Sequence, residues 1–319
     1  MKRSFWVITA ITIFMIALLV YFGGGYYVYY RIAKVDPPAA NTLENNPSSF
    51  KVLHSEYPAF DRVSFEMSSY EKITFPSRQA NITLSGWYVE VDPNAPAVII
   101  THGVGGSKRS SSVLIPAGML AHNGFNVLIF DMRNYGDSDK DNGYVGNKGY
   151  QDVLGAWDYL IRIKGYQASH VGLYGISLGG EATLVAFGQE PRVAAVFVDS
   201  PFTNIPETIK GLLIRHHLPT FLETPVILMA RIINGDNLLD YDPDDAINND
   251  KGRPIFIVHG TGDTQVSVNQ THEVLALADK KGLNVSVWMP DGIEHVQAMF
   301  ALTSQYKQKL VSFFKTTLK

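Results

Sequence analysis

Cysteine is absent from the 319-residue sequence. Its absence excludes disulfide bonds, thiolate catalysis and metal centres with thiolate ligands, and it leaves the redox compartment open. The sequence also lacks a His-Glu-x-x-His motif and an aspartate-rich calcium loop, so it predicts neither a metal nor a cofactor. Charge of both signs is sparse and spread out, with 27 basic and 30 acidic residues. Without a basic stripe, we expect no nucleic-acid partner.

One long apolar run lies near the N-terminus. Residues 5–22 are almost wholly apolar, and residues 4–30 contain no charged side chain. About 20 such residues form a helix long enough to cross a bilayer, and the tyrosines that follow suit the aromatic belt at a membrane surface. We therefore expect a retained membrane anchor over residues 1–34. A cleaved signal peptide and a buried core helix are the alternatives.

The flanks of this run bear on its orientation. Lys2 and Arg3 precede it, whereas Arg31 and Lys34 follow it. Positive charge favours the cytoplasmic side. Lys2, Arg3 and the terminal amine together carry more positive charge than Arg31 and Lys34, so we expect the N-terminus on the cytoplasmic side. This predicts a single-pass membrane protein whose body is extracytoplasmic. Residues 35–69 contain four prolines with several asparagines and serines, which is typical of a stalk or linker.

Strand-like and helix-like segments alternate from residue 70 to residue 319. Two segments with alternating polarity come first, at 71–75 and 81–91. The later predicted strands are continuous apolar runs at residues 97–102, 126–131, 170–175, 193–199, 254–260 and 285–290. The predicted helices between them are residues 109–123, 147–164, 178–188, 267–281 and 296–317. Such strands are typical of a mostly parallel sheet covered by helices on both faces, which defines an α/β fold.

One interval is too long for a single connecting helix. Residues 201–250 lie between two predicted strands and contain the apolar stretches IKGLLIRHHLPTFL and VILMARII. We predict that they form a helical insertion over one end of the sheet, and we refer to residues 201–250 as the lid.

Glycines surround Ser177 in the segment GLYGISLGGEA, residues 172–182. The segment follows a predicted strand and begins a predicted helix, so Ser177 lies on a sharp turn at the carboxyl end of a strand, where α/β proteins bind ligands. Gly175 and Gly179 remove the side chains that would clash there, which exposes the serine hydroxyl as a nucleophile. A glycine-rich turn without catalytic meaning is the simpler alternative.

A serine hydroxyl needs a base, and the base needs a group that orients it. His295 follows the last predicted strand, and Asp263 follows the strand at 254–260. The order Ser177, Asp263, His295 is the order expected for such a sheet. Asp199, at the end of the strand before the lid, is the alternative acid.

An oxyanion hole is the third requirement, since two backbone N–H groups must face the oxygen that becomes negative. Leu178, directly after the serine, provides one N–H. The glycine-rich segment THGVGGSK, residues 101–108, follows a predicted strand, and its position indicates Val104 as the second donor. We expect His102 to brace this loop. An ordinary flexible turn or an anion site is the alternative.

Five motifs, HGVGG, DMRNYGDSD, GISLGG, HGTGDTQV and GIEHV, occur in this order over residues 70–319. In them the chain resembles the α/β-hydrolase family, within it the membrane-anchored serine hydrolases related to the prolyl oligopeptidase and acyl-aminoacyl peptidase branch. The resemblance implies a Ser-Asp-His triad and structural roles for Asp131 and Arg133. Two features depart from the family: the region before Tyr70 is too short for an oligopeptidase propeller, and Glu181 stands where small or apolar residues are usual.

The expected activity is hydrolysis of carboxylic esters through an acyl-enzyme. The expected substrate is a small acyl ester or acyl-peptide, and residues of the lid are predicted to line its acyl pocket: Phe202, Leu212, Leu213, Leu218, Phe221 and Leu222. A peptidase or amidase acting on small acylated peptides is one alternative. The other is a membrane-tethered binding protein that uses a hydrolase scaffold without catalysis.

Overall fold

The computed structural model describes residues 2–33, 44–52, 57, 60–79, 81–141, 145–234 and 237–319. Its strands are β1 (Glu71–Pro76), β2 (Thr83–Val89), β3 (Ala97–Thr101), β4 (Asn126–Phe130), β5 (Val171–Ile176), β6 (Ala195–Asp199), β7 (Ile255–Val258) and β8 (Val285–Trp288). They form one sheet in the order β1-β2-β4-β3-β5-β6-β7-β8. Only β2 runs antiparallel to its neighbours β1 and β4. The predicted mostly parallel sheet is confirmed.

Ten α-helices accompany these strands in the described part of the chain. They are α1 (Lys2–Ala33), α2 (Ser111–Ala121), α3 (Val145–Asp158), α4 (Leu178–Gln189), α5 (Ile205–Arg215), α6 (Glu223–Asn234), α7 (Pro243–Asn248), α8 (Asn269–Lys281), α9 (Ala298–Ala301) and α10 (Thr303–Thr317). A π-helical turn, Tyr159–Ile163, continues α3. The lid contains α5, α6 and α7, so it is helical as predicted, and its position over one end of the sheet stays a prediction.

Side chains alternate between the two faces of the sheet along each strand. Because the strands carry apolar side chains on both faces, helices cover both faces. In β3, Ile99 packs into the core cluster that includes α3 and α4. Its neighbours Val98 and Ile100 pack into the opposite cluster, which includes α2 and α10. All five residues of β3 are buried. A strand buried on both faces explains the continuous apolar runs in the sequence.

Part of the predicted stalk packs on the body. Phe50 and Met67 are each 2% exposed and belong to the α2–α10 core cluster. The Asn45 side chain donates to the Arg109 carbonyl oxygen over 3.1 Å. The described residues at 44–52 and 60–69 therefore contribute to the packed body, whereas most of the remaining stalk lies outside the described residues.

Helix α1 has the length and composition of a membrane span. Residues Phe5–Arg31 include an 18-residue window with mean hydropathy 2.5, and none of that window is buried in the protein. A signal sequence near an N-terminus shares these features. The last third of α1 is different, because Val28 and Tyr29 pack against Leu213 and Val226 of the lid.

Candidate active site

Ser177 lies on the turn between β5 and α4 with φ 53° and ψ −120°. This backbone conformation is uncommon for a residue with a side chain, and such strain concentrates at functional sites. A Cβ at Gly175 would lie 2.4 Å from the Gly179 carbonyl oxygen, and a Cβ at Gly179 would lie 2.3 Å from that of His102. Both glycines are therefore required sterically, which is the role that the sequence predicts for them.

The structure brings Ser177, His295 and Asp263 together in one chain of hydrogen bonds. The Oγ of Ser177 lies 2.9 Å from Nε2 of His295. The Nδ1 of the same imidazole lies 2.7 Å from Oδ2 of Asp263. Since an ionised carboxylate only accepts, Nδ1 carries a proton, and in the neutral imidazole the unprotonated Nε2 then faces the serine hydroxyl. The imidazole is thus in the tautomer that can accept the serine proton.

The Asp263 carboxylate is held from both sides. Its Oδ1 accepts the backbone N–H groups of Gln265 and Val266, each over 2.8 Å. Its Oδ2 faces two imidazoles, because Nε2 of His259 lies 3.2 Å away in addition to His295. Burial raises the pKa of Asp263, but the hydrogen bonds from His259, His295 and Val266 outweigh burial and hold that pKa well below its usual range. Asp263 is therefore a fixed anion beneath the imidazole.

The alternative acid, Asp199, has other partners. Its carboxylate accepts the Tyr306 hydroxyl over 2.8 Å and the Ser200 hydroxyl over 3.1 Å. Burial raises the pKa of Asp199 to about 6, against the lowering effect of these two hydrogen bonds. Of the two candidate acids, the described structure places only Asp263 in hydrogen-bonding contact with His295.

Two backbone amides flank the serine where an oxyanion hole is expected. Leu178 is the first residue of α4, and in the described part of the chain neither its N–H nor that of Val104 donates a hydrogen bond. The Val104 loop lies close to the nucleophile, since a Cβ at Gly103 would be 3.1 Å from Cβ of Ser177. The buried imidazole of His102 holds this loop between the Gly103 carbonyl oxygen, 2.8 Å away, and the Met132 N–H, 3.1 Å away.

The predicted acyl-pocket residues lie in two places. Phe202 packs against the core cluster of α3 and α4. Leu213, Leu218 and Leu222 lie in or against the cluster that the lid forms with α1, Leu212 lines a crevice beside α1, and Phe221 stacks on Tyr21. All of the set except Phe202 therefore lies at the contact between the lid and α1, and the role of these residues as an acyl pocket stays a prediction.

Asp131 and Arg133 form buried ion pairs away from the serine. Asp131 binds Nζ of the buried Lys108 over 2.6 Å, and Arg133 binds Asp152 over 2.7 Å. Both are structural, as the family resemblance implied. Among the described residues, no group of three or more histidines and carboxylates is placed to hold a metal ion.

His259 is the residue of the site that sequence reasoning missed. Its imidazole contacts Asp263, although nothing in the motif order assigns it a role. Its position in HGTGD, at the end of a predicted strand and four residues before Asp263, was the available signal.

The sheet order and the site define an α/β hydrolase. A model of the prolyl oligopeptidase family matches residues 115–319, and the chain belongs to that family. It is a serine hydrolase.

Three similar proteins illustrate the range of the fold. YfhR of Salmonella typhimurium is 26% identical over 268 residues, which cover 78% of this chain and 82% of YfhR. An esterase from Pyrococcus furiosus has a TM-score of 0.63 at 22% identity and covers 86% of this chain and 100% of its own. The acylaminoacyl peptidase of Pyrococcus horikoshii has a TM-score of 0.63 at 18% identity, covering 80% of this chain and 43% of its own. The two structural likenesses show the shared fold.

Proposed function

We propose that this serine hydrolase cleaves carboxylic esters through an acyl-enzyme on Ser177. The observation that carries the proposal is the hydrogen-bonded chain Ser177–His295–Asp263, with distances of 2.9 and 2.7 Å. The serine Oγ attacks the ester carbonyl carbon while its proton moves to Nε2 of His295, and Asp263 stabilises the resulting imidazolium. The carbon–oxygen bond to the alcohol then breaks, and the alcohol leaves with the proton from His295.

Hydrolysis of the acyl-enzyme repeats these steps with water. His295 takes a proton from water, the hydroxide attacks the acyl carbon, and Ser177 recovers its proton as the acid leaves. In both halves the N–H groups of Val104 and Leu178 would bind the oxyanion. Removal of one such donor typically costs about 3–4 kcal/mol. Of the two, the Leu178 N–H lies at the start of α4, where the helix dipole also favours negative charge.

Ester cleavage is favoured over peptide cleavage by the extent of the structural likeness. The whole of the P. furiosus esterase chain is covered, whereas 43% of the acylaminoacyl peptidase is covered. The family match and the name of that peptidase favour the second candidate, which is release of acylated amino acids from small peptides. Both candidates use the same site and differ in the leaving group.

Membrane anchoring and domain organisation are part of the proposal. Residues 1–34 would anchor the chain in one pass, and residues 70–319, with the packed part of 35–69, would form the catalytic body outside the cytoplasm. Lys2 and Arg3 before the apolar run support this orientation.

The nucleophile is tested on the full chain in detergent with a fluorophosphonate probe. We expect wild-type protein to be labelled and Ser177→Ala to be unlabelled. The matched control is Ser64→Ala, an exposed serine that bonds Asp61 and should leave labelling unchanged. Labelling of Ser177→Ala would contradict the assignment. Comparing p-nitrophenyl esters with acyl-aminoacyl anilides then separates the two candidates, because turnover of anilides alone would reject the esterase.

A further inference from the structure

The lid rests on a notch of small residues in α1. A Cβ at Gly25 would lie 2.5 Å from Cβ of Pro225, and a Cβ at Gly24 would lie 3.0 Å from a methyl carbon of Leu222. These two glycines therefore allow α6 and the turn before it to approach the α1 backbone closely. Val28, one turn later, is 5% exposed in the same contact. The lid and α1 form one packed unit.

Within this unit, α6 runs in the same direction as α1. The ring of Tyr21 stacks on that of Phe221, with centroids 6.2 Å apart and an interplanar angle of 18°. Four residues further along both segments, Gly25 meets Pro225. Because an α-helix rises about 1.5 Å per residue, Ile232 near the end of α6 lies more than ~10 Å beyond the level of Tyr21.

The part of α1 before Tyr21 extends beyond the packed body, and the stacked rings of Tyr21 and Phe221 lie where this exposed part begins. The large apolar residues before them are exposed, for example Phe5 at 64% and Leu19 at 70%. Residues 5–20 span roughly 24 Å as a helix, which covers most of a hydrocarbon core of about 30 Å. If α1 spans a bilayer, the surface of that bilayer therefore meets the protein close to Tyr21 and Phe221.

The residues around Tyr21 and Phe221 are arranged as they are at a bilayer surface, with exposed aromatic side chains first and charged side chains further along α1. Phe221 is 59% exposed although it stacks on Tyr21, and aromatic side chains favour the headgroup region. Further along α1, Arg31 and His216 line a crevice of about 290 Å³ that also has leucine walls. Arg31 lies about 15 Å beyond Tyr21 along the helix axis, which is farther than the roughly 5–8 Å depth of one headgroup layer, so Arg31 lies on the water side.

We propose that the lid edge, which we define as the turn His216–Leu222 between α5 and α6, docks on the lipid bilayer beside α1. Phe221 lies among the headgroups, whereas Arg31 and Ile232 stay in water. This inference rests on α1 being a retained anchor. Its consequence concerns the candidate active site, since Arg215, directly before the lid edge, donates to the Gln265 carbonyl oxygen over 3.0 Å. This hydrogen bond connects the lid edge to the loop that carries Asp263.

The absence of cysteine makes a direct test available, because each introduced cysteine is unique. The full chain is reconstituted in vesicles of phosphatidylcholine and phosphatidylglycerol and carries one nitroxide label at Phe221→Cys, Ile232→Cys, Ile13→Cys or Ile163→Cys. Electron paramagnetic resonance then measures the accessibility of each label to oxygen and to a water-soluble nickel complex. Ile163, 70% exposed on the π-helical turn before β5, is the water control, and Ile13 is the bilayer control.

We expect the ratio of oxygen to nickel accessibility to be highest at Ile13, several-fold lower but still elevated at Phe221, and lowest at Ile232 and Ile163. A Phe221 label as accessible to nickel as the Ile163 label, with Ile13 buried in lipid, would overturn the docking and leave the anchor intact. A water-accessible Ile13 label would overturn both. Neither readout involves Ser177, so a failure of the proposed hydrolysis would not be confused with a failure of docking.

Discussion

At the scale of single residues, the environment of Asp263 depends on a second histidine. Nε2 of the fully buried His259 lies 3.2 Å from both the Asp263 carboxylate and the Val266 carbonyl oxygen. Both partners are acceptors, so Nε2 carries a proton. The Thr271 hydroxyl lies 2.6 Å from Nδ1 and can donate to it. His259 is therefore a positioning residue that fixes Asp263 without contacting Ser177.

We expect His259→Phe to lower kcat by about tenfold to a hundredfold with little change in KM, because a hydrogen bond to a charged group contributes about 1.5–3 kcal/mol. His259→Gln, whose amide can still donate, should recover much of the loss. Without the donor the pKa of Asp263 rises, and the more basic carboxylate favours the protonated form of its hydrogen-bond partner His295. The acid limb of the pH–kcat profile should therefore move to higher pH in His259→Phe. Steady-state kinetics of both variants measure this. Equal profiles for wild type and His259→Phe would contradict the role.

At the scale of elements, the start of α4 is locked to the loop after β3. A Cβ at Gly179 would lie 2.5 Å from the Thr101 carbonyl oxygen and 2.3 Å from that of His102. The helix that carries Leu178 and the loop that carries Val104 therefore meet without a side chain between them. Their contact sets the spacing of the two proposed oxyanion donors.

Two glycine substitutions distinguish the effect of this backbone contact from the effect of helix propensity on activity and stability. We expect Gly179→Ala to abolish esterase activity and to lower the thermal midpoint, because backbone rather than a flexible side chain stands in the way. Gly211→Ala in α5, where a Cβ would meet nothing within 4 Å, should raise stability by up to about 1 kcal/mol. Calorimetry and ester turnover compare the two. A Gly179→Ala enzyme with normal turnover would show that the contact is not needed.

The elements also show what the sequence could predict. Each predicted strand in the body is present, since buried parallel strands leave continuous apolar runs, and the order of serine, aspartate and histidine at strand ends indicated their convergence. The packing of α1 on the lid was not predicted. Gly24 and Gly25 lie about 200 residues from Pro225 in a sequence that shows only their local propensities. The second imidazole on Asp263 was missed for a different reason: His259 is only four residues away, but its distance to the carboxylate depends on how the intervening loop folds back.

At the scale of the whole molecule, one buried acid opposes folding at alkaline pH. Glu181 is 4% exposed on the first turn of α4 and makes no hydrogen bond through its side chain to the described residues. Burial, and then the charge of Asp242, raises its pKa from 4.5 to about 8. The folded protein therefore holds a proton that the unfolded chain releases between these values. The free energy of unfolding falls as the pH rises from 4.5 towards 8.

Glu181→Gln removes this titration and keeps the size of the side chain. We expect the variant to match wild type near pH 5 and to become more stable than wild type with rising pH, by on the order of 3 kcal/mol at about pH 8.5. Urea unfolding of the full chain in detergent, followed at each pH, measures the difference. Glu207→Gln is the matched control, because Glu207 lies on the surface with Lys210 and its replacement should shift stability equally at every pH. A Glu181→Gln difference that is also constant with pH would mean that Glu181 is ionised in the fold, with a cationic or hydrogen-bonding partner.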